Sequence, residues 1–257
     1  MQSQFSGLIL NMTIKLSPQE TAQKIYLEKF PDCAGILLAG SVMRGEGTPS
    51  SDLDIVVIYE RLDNAWRDSF HFEGWPVEVF VHDLETLNYF FQSLERPSGV
   101  PSLPSMVIEG KMIPSANPIL EKAKNLAKKV VDAGPIPWTE KEIMRGRYNI
   151  TDICDDMKSP RSDAELIASG VRLYEVITDF YFRSKNKWSA KGKSIPRRWR
   201  QENEDLAEKF IQAFEDLFQR KTTNSVMRFA EEVLTPYGGW LFENSKISAP
   251  SEWRKLL

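Results

Sequence analysis

The chain has 257 residues, 42% of them hydrophobic, which is enough for one large domain or two domains of ordinary size. Its formal net charge is −3, so the balance argues against a protein that coats nucleic acid, and we expect no stable nucleic-acid partner. No run approaches the roughly 18 apolar residues of a membrane-spanning helix, so we expect no membrane partner.

The chain ends and the cysteines predict a cytoplasmic protein. Residues 1–16 lack a cationic n-region and a long apolar run, so they are not a signal peptide, and they are expected to form a frayed end or a short edge strand. Cys33 and Cys154 lie far apart in apolar contexts, which predicts buried thiols in a reducing compartment. The sequence leaves the oligomeric state unknown.

The first half of the chain predicts a mixture of strands and helices. Ser17-Pro18-Gln19-Glu20 is a capping box with proline at the first helical position, so a helix is expected from there to Pro31. Short apolar or alternating runs predict strands at residues 34–39, 52–59, 66–72 and 76–81, the last two as a hairpin around Glu73-Gly74. Another helix is expected from Asp83 to about Leu94.

The stretch that follows is rich in proline, serine and glycine. Residues 96–105 predict a loop, either a plain connector or a wall of an acceptor site. Residues 106–113 predict a last strand, and a lysine-rich helix is expected from Asn117 to about Val131. The Pro- and Gly-containing residues 133–138 predict the boundary between a domain over residues 1–132 and a domain over residues 139–257.

Everything after that boundary predicts helices. Thr139–Glu142 is a capping box, and Ser162 begins the next helix. The faces expected to be buried are Ile143, Ile150, Cys154 and Met157 on the first helix, and Ile167, Val171, Tyr174, Ile177 and Tyr181 on the second. Two later helices are expected at residues 203–219 and 224–234. Acidic residues such as Asp179 are expected on solvated faces, with binding of a cationic acceptor as the alternative.

Residues 183–200 form a basic segment with eight cationic side chains and no acidic one. Subtracting these eight leaves 25 basic and 36 acidic side chains, a net charge of −11, in the rest of the chain. Such a segment in an acidic protein favours an anionic partner: nucleic acid, an acidic protein surface or a triphosphate. A solvated loop is the structural alternative.

The chemistry-bearing stretch lies between the first two strands. Gly40 and Ser41 follow the first strand, and Asp52 and Asp54 open the second. Residues i and i+2 of a strand share a face, so the two carboxylates lie together and repel each other unless a cation or a proton intervenes. Mg²⁺ suits such oxygen ligands and keeps positions for water and phosphate. Glycine permits close approach to the backbone, and the turn offers N–H groups to an anion.

Gly40-Ser41, ten residues, then Asp52-Leu53-Asp54 resembles the core motif of the polymerase-β-like nucleotidyltransferase superfamily. Glu78, within the apolar run 77–81, is similar to that superfamily's third carboxylate. The closest resemblance is to the aminoglycoside O-nucleotidyltransferases, which also carry a Gly-Lys-x-x-Pro-basic pattern, matched here by residues 192–197. The resemblance implies an α+β fold: a nucleotidyltransferase domain with a mixed sheet and flanking helices, followed by an all-helical bundle domain.

The resemblance also implies an activity: transfer of an NMP, expected to be AMP, from a Mg²⁺-bound NTP to an acceptor hydroxyl. Asp52 and Asp54 are then metal ligands, and Glu78 is either a ligand of a second metal or the base. Nucleotide phosphates are expected to contact Gly40, Ser41, Arg44, Lys193 and Arg197. An aminoglycoside- or lincosamide-like small molecule is the expected acceptor. Nucleotidylation of a protein partner, as by antitoxin-type enzymes, and a non-catalytic nucleotide sensor are the alternatives.

Overall fold

The structure, a computed structural model, describes residues 15–243, 245–246, 248–249 and 253–254. The expectations for residues 1–14 lie outside these ranges. The chain divides into two compact units. The first contains the residues up to Phe91 together with Ser102–Val131, and the second contains Gln92–Pro101 together with the residues from Asp132 onward.

The first unit is built on a five-stranded mixed sheet with the strand order β3-β4-β2-β1-β5. The strands are β1 (Gly35–Ala39), β2 (Leu53–Ile58), β3 (Trp66–Phe72), β4 (Trp75–His82) and β5 (Lys111–Ile113). The helices are α1 (Pro18–Lys29), α2 (Gly40–Met43), α3 (Leu84–Phe90), which a π-helical turn continues to Glu95, α5 (Ser102–Glu109) and α6 (Pro118–Ala133). Between the π-helical turn and α5 lies the short α4 (Arg96–Ser98), which belongs to the second unit.

Strand pairing is antiparallel except at the centre of the sheet. β1 pairs antiparallel with β2 and with β5, and β3 pairs antiparallel with β4, whereas β2 and β4 run parallel. One face carries the core: alternate residues of β1, β2 and β4 pack together with Ala22 and Ile25 of α1. Leu53 and Ile55 point into this core, as the alternation predicted, so Asp54 faces the other side.

The local signals in this half are confirmed. The Ser17 side chain accepts a bond from the Glu20 N–H, and the Glu20 carboxylate accepts one from the Ser17 N–H, so both halves of the capping box form. The β3–β4 hairpin turns at Glu73 and Gly74, with φ angles of 48° and 78°. Positive φ at both central residues is the geometry of the turn that matches strand twist.

The expectations for residues 96–113 were wrong for most of this stretch. Instead of a loop and a strand, the chain forms α4 and α5, and only Lys111–Ile113 is extended. Pro97 and Pro104 lie in the first turns of these helices, where a missing N–H costs no intrahelical bond. Leu103 and Val107, four residues apart, are both buried, so tertiary packing gives the short α5 its helical form.

The second unit is helical. Besides α4 it contains α7 (Glu140–Lys158), α8 (Asp163–Arg183), α9 (Ile195–Glu202), α10 (Glu204–Arg220) and α11 (Asn224–Leu234), with 3₁₀ turns at Gly192–Ser194 and Thr235–Tyr237. The predicted capping box at Thr139 and the Ser162 cap both form. The helix α9 was not predicted, because the basic segment that forms it shows no clear apolar period.

One predicted core face was partly wrong. Ile167 and Val171 of α8 are 37% and 57% exposed, whereas Leu166 and Leu173 are buried. Two apolar stripes run along α8, and periodicity alone does not say which one faces the neighbouring helices. The stripe that is buried packs around Trp199, which is fully buried and donates a hydrogen bond from Nε1 to the Thr178 hydroxyl at 3.1 Å.

The two cysteines are free and buried, as predicted. Burial raises the pKa of Cys33 to about 11 and that of Cys154 to about 12. Among the described residues, no helix is both long and apolar enough to span a membrane.

Candidate active site

The register between β2 and β4 places two of the predicted carboxylates side by side. Asp54 of β2 lies opposite Glu78 of β4 in the parallel pair. Partners in register on adjacent strands point to the same face, so both side chains leave the sheet on the side away from α1. Asp52 immediately precedes β2 and, two residues before Asp54, lies on that same side.

The three carboxylates form one cluster. One oxygen from each of Asp52, Asp54 and Glu78 lies within 4.8 Å of the other two, and each residue is partly buried. Three negative charges at this spacing repel one another, which favours a cation between them. The donor set consists of carboxylate oxygens only, so it suits a hard divalent ion such as Mg²⁺. Asp52, Asp54 and Glu78 are therefore the residues that would hold the metal.

Gly40 leaves the space that the Asp54 carboxylate occupies. Gly40 has a φ of +82°, and a Cβ built on it would lie 2.1 Å from Asp54 Oδ2. Any other residue would meet both a left-handed backbone and a clash with that oxygen. The glycine of the Gly-Ser pair is thus needed because a carboxylate lies directly against its backbone.

Ser41 connects this corner to the loop that precedes Asp52. Its hydroxyl lies 3.5 Å from the Ser51 hydroxyl, and Ser51 Oγ accepts a 2.8 Å bond from the Thr48 N–H. The loop before β2 is therefore a hydrogen-bonded turn. It joins Ser41 to Ser51, the residue that directly precedes Asp52 in the chain.

Arg44 lies at the end of α2 but is engaged by two carboxylates. Its Nε is 3.0 Å from Glu46, and its guanidinium is 3.2 Å from Glu109 at the end of α5. A nucleotide phosphate would have to compete with these two exposed ion pairs, which are weak in water. The predicted role of Arg44 stays a prediction.

A further cation lies directly on the cluster. Arg67 of β3 places its guanidinium 2.6 Å from Glu78 Oε1. The sequence reasoning missed this residue, although the signal was present. The two-residue turn at Glu73-Gly74 fixes the hairpin register, and counting back from it places Arg67 two residue pairs away from Glu78, on the same face.

In the second unit, five of the eight cations in the basic segment have roles within the unit. Arg183 is 4% exposed and donates to the carbonyls of Pro97 and Ile136. Arg198 donates to the Trp188 carbonyl. The other three are Lys187 paired with Glu202, Lys185 over the Tyr181 ring, and Arg200 paired with Glu204. Much of the positive charge that suggested an anionic partner thus stabilises the helical unit.

Lys193 and Arg197 belong to the second unit, whereas the carboxylates belong to the first. Lys193 is exposed in the 3₁₀ turn Gly192–Ser194, and Arg197 is partly buried on α9. Their contact with nucleotide phosphates stays a prediction.

The second unit also contains a pocket of about 370 Å³ that the sequence did not predict. Trp138 and Phe180 supply aromatic walls, and Glu142, Glu175 and Asp179 supply carboxylates. Glu142 is held by the Thr139 capping box, and these hydrogen bonds lower its pKa. Oδ1 of Asp179 is buried without a hydrogen-bond partner among the described residues. Burial raises the pKa of Asp179, against the opposing charges of Arg183 and Lys191.

One family model matches part of the chain. Residues 20–102 match the family model described as "Nucleotidyltransferase domain". This range contains the Gly-Ser pair and all three carboxylates, so the carboxylate cluster lies within the matched residues. The α+β architecture predicted from the sequence, a nucleotidyltransferase domain followed by a helical region, is confirmed.

Solved structures include a distant likeness. A nucleotidyltransferase-like protein from Exiguobacterium sibiricum 255-15 shares 14% identity over 85% of this chain and 80% of its own, with a TM-score of 0.37. A TM-score this low supports no conclusion about function. No curated protein is significantly similar to this chain in sequence.

Gly40→Ala should lower the free energy of unfolding by roughly 1–3 kcal/mol, because the new Cβ meets Asp54 Oδ2 on a left-handed backbone. It should also abolish Mn²⁺ binding by displacing Asp54. Urea unfolding and a Mn²⁺ titration measure the two effects. Gly45→Ala is the matched control, since Gly45 has a φ of +75° with no atom within 4 Å of its added Cβ. If both variants keep Mn²⁺ binding, the close packing of Gly40 on Asp54 does not matter to the site.

Proposed function

We propose that this protein is a Mg²⁺-dependent nucleotidyltransferase that moves an NMP from an NTP to an acceptor hydroxyl and releases pyrophosphate. The observation that carries the proposal is the cluster of Asp52, Asp54 and Glu78 beside Gly40, within the range that matches the nucleotidyltransferase model. ATP is the proposed donor, and a small hydroxylated molecule is the proposed acceptor.

The proposed reaction is an in-line displacement. The acceptor oxygen forms a bond to the α-phosphorus, the bond from that phosphorus to the bridging oxygen breaks, and pyrophosphate leaves with the electron pair. A bound divalent cation supplies neutralisation of the charge on the phosphate oxygens. Glu78 either completes a metal site or accepts the hydroxyl proton.

The phosphates need positive or N–H groups as the charge moves onto pyrophosphate. Gly40 lets a phosphate approach the backbone, and the Ser41 hydroxyl lies next to it. Arg44 of the first unit and Lys193 and Arg197 of the second are the proposed cations.

The pocket of the second unit supports a small cationic acceptor over a protein acceptor. Its volume of about 370 Å³ is that of a small-molecule site. Trp138 supplies an aromatic side chain to the pocket lining, and Glu175 and Asp179 supply carboxylates. An amino-substituted compound such as an aminoglycoside or a lincosamide has the charge and the hydroxyl groups that this arrangement requires.

The experiment that tests the function is incubation of the protein with each α-labelled NTP and Mg²⁺, against a panel of aminoglycosides and lincosamides and against cell lysate. Label on a small molecule supports the proposal. Label on a protein band indicates the protein-acceptor alternative. Nucleotide binding with no transfer to any acceptor would indicate a nucleotide sensor.

Asp52→Asn and Asp54→Asn should each abolish transfer, with a loss of more than about a hundredfold, because each removes a metal ligand without changing side-chain volume. The folded state should keep its stability, since one repelling charge is removed. Activity is measured by labelled transfer and folding by urea unfolding. Wild-type activity in both variants would contradict the metal assignment.

Lys193→Glu and Arg197→Glu should each weaken NTP binding by more than about tenfold, since a shielded charge-assisted bond contributes about 1.5–3 kcal/mol. Isothermal titration with a non-hydrolysable NTP measures the effect. Lys128→Glu, on the exposed side of α6, reverses the same charge elsewhere. If all three variants bind the NTP with the same affinity, the phosphate site lies within the first unit.

Asp179→Asn should raise the KM for a cationic acceptor about tenfold and leave the KM for the NTP unchanged, because it removes one charge from the pocket. Glu175→Gln, at the exposed rim, should act in the same direction even if the Asp179 variant folds poorly. Asp156→Asn, on the exposed side of α7, is the matched control. Unchanged acceptor KM in both pocket variants would exclude the pocket as the acceptor site.

A further inference from the structure

Arg67 of β3 is a cation that the structure places directly against the carboxylate cluster. Its guanidinium donates to Glu78 Oε1 at 2.6 Å. In the β3–β4 pairing, Arg67 lies opposite Phe80 and Ser69 lies opposite Glu78. Arg67 therefore reaches diagonally across the edge of the sheet, on the face that carries the cluster.

Phe80 supports this arrangement. The Arg67 guanidinium carbon lies 5.2 Å from the Phe80 ring centroid, within the range of a cation–π contact. The stem of Arg67 is thus directed along the sheet, and its end is presented to Glu78. This is a defined position in the hairpin, because both contacts follow from the register of the two strands.

Arg67 and a divalent cation at the cluster would both use the carboxylate of Glu78. A divalent cation at the cluster needs an oxygen of Glu78, and Arg67 already binds Oε1 of that residue. Two positive groups within a few ångströms also repel each other. We propose that Arg67 competes with the divalent cation for Glu78 and so lowers the metal affinity of the nucleotide-free site. This inference rests on the proposed function, since it assigns Glu78 to the metal.

The strength of the competition follows from exposure. The side chains of Arg67 and Glu78 are 58% and 28% exposed, so the pair is partly screened by water. Ion pairs of this kind are weak, and the competition adjusts the metal affinity without preventing binding. Removing the arginine charge should therefore strengthen binding by roughly three- to fivefold, which is what a weak pair accounts for.

Arg67 also has a role when no metal is bound. Without it, Glu78 would lose its ion pair while it lies beside the carboxylates of Asp52 and Asp54. The inference therefore predicts two effects of Arg67→Gln with opposite signs: lower stability of the metal-free protein and tighter metal binding. A merely structural arginine would give the first effect alone.

The test is a titration of the full chain with Mn²⁺ in the absence of nucleotide, with free Mn²⁺ followed by electron paramagnetic resonance. Arg67→Gln should bind Mn²⁺ roughly three- to fivefold more tightly than the wild type at low ionic strength, and the difference should shrink at high ionic strength. Arg67→Lys keeps the charge and should stay within about twofold of the wild type. Thermal unfolding with and without Mn²⁺ gives the second readout.

Arg61→Gln is the matched control. It removes the same charge from the first unit, but Arg61 follows the far end of β2, about 20 Å along an extended chain from Asp54. Its Mn²⁺ affinity should equal that of the wild type. A gain equal to that of Arg67→Gln would mean that net charge alone sets the affinity, which overturns the inference.

The remaining outcomes separate this inference from the proposed function. Unchanged Mn²⁺ affinity in Arg67→Gln, with normal binding by the wild type, overturns the competition alone. Weaker binding in Arg67→Gln also overturns it and makes Arg67 a positioning residue for Glu78. If the wild type and Asp54→Asn bind Mn²⁺ equally, or if neither binds it, the metal site of the proposed function is wrong. The proposed competition is then wrong as well.

Discussion

The parallel pairing of β2 with β4 is the constraint on which the candidate site depends. It places Asp54 opposite Glu78, and the chain geometry adds Asp52 two residues earlier. The backbone hydrogen bonds and the buried valines and isoleucines of these strands hold three like charges closer than they would lie in a free chain. The packing of the core of the first unit offsets the unfavourable energy of that repulsion. The same repulsion favours binding of a cation at the cluster.

The groups around the cluster are explained by this charge. Gly40 leaves room for an Asp54 oxygen where any side chain would clash, and Arg67 binds Glu78 from the edge strand. The role of the glycine is steric, and the role of the arginine is electrostatic. Gly40 lets the carboxylate lie against backbone, whereas Arg67 places a positive charge on Glu78. In the proposed competition, Glu78 binds the Arg67 side chain in one state and a divalent cation in the other.

The second unit uses its cations mainly for its own folding. Arg183 and Arg198 satisfy backbone carbonyls and lie over the aromatic rings of Trp138 and Phe182. Around them, Trp199 stacks on Phe210 with ring centroids 4.9 Å apart. An arginine can be a packing residue because its long stem is apolar and its planar head stacks on aromatic rings. A count of charges therefore overstated the need for an anionic partner.

The sequence by itself determined the helix caps, the hairpin turn, the strand runs and the identity of the three carboxylates. These features depend on residues close together in the chain, where capping bonds, turn geometry and alternation act directly. Only the tertiary structure decided that residues 102–109 are helical, that Ile167 and Val171 are exposed, and that Asp179 lines a pocket with Trp138. Those outcomes depend on which of two possible faces meets a neighbouring element, and that choice is made by packing between residues far apart in sequence.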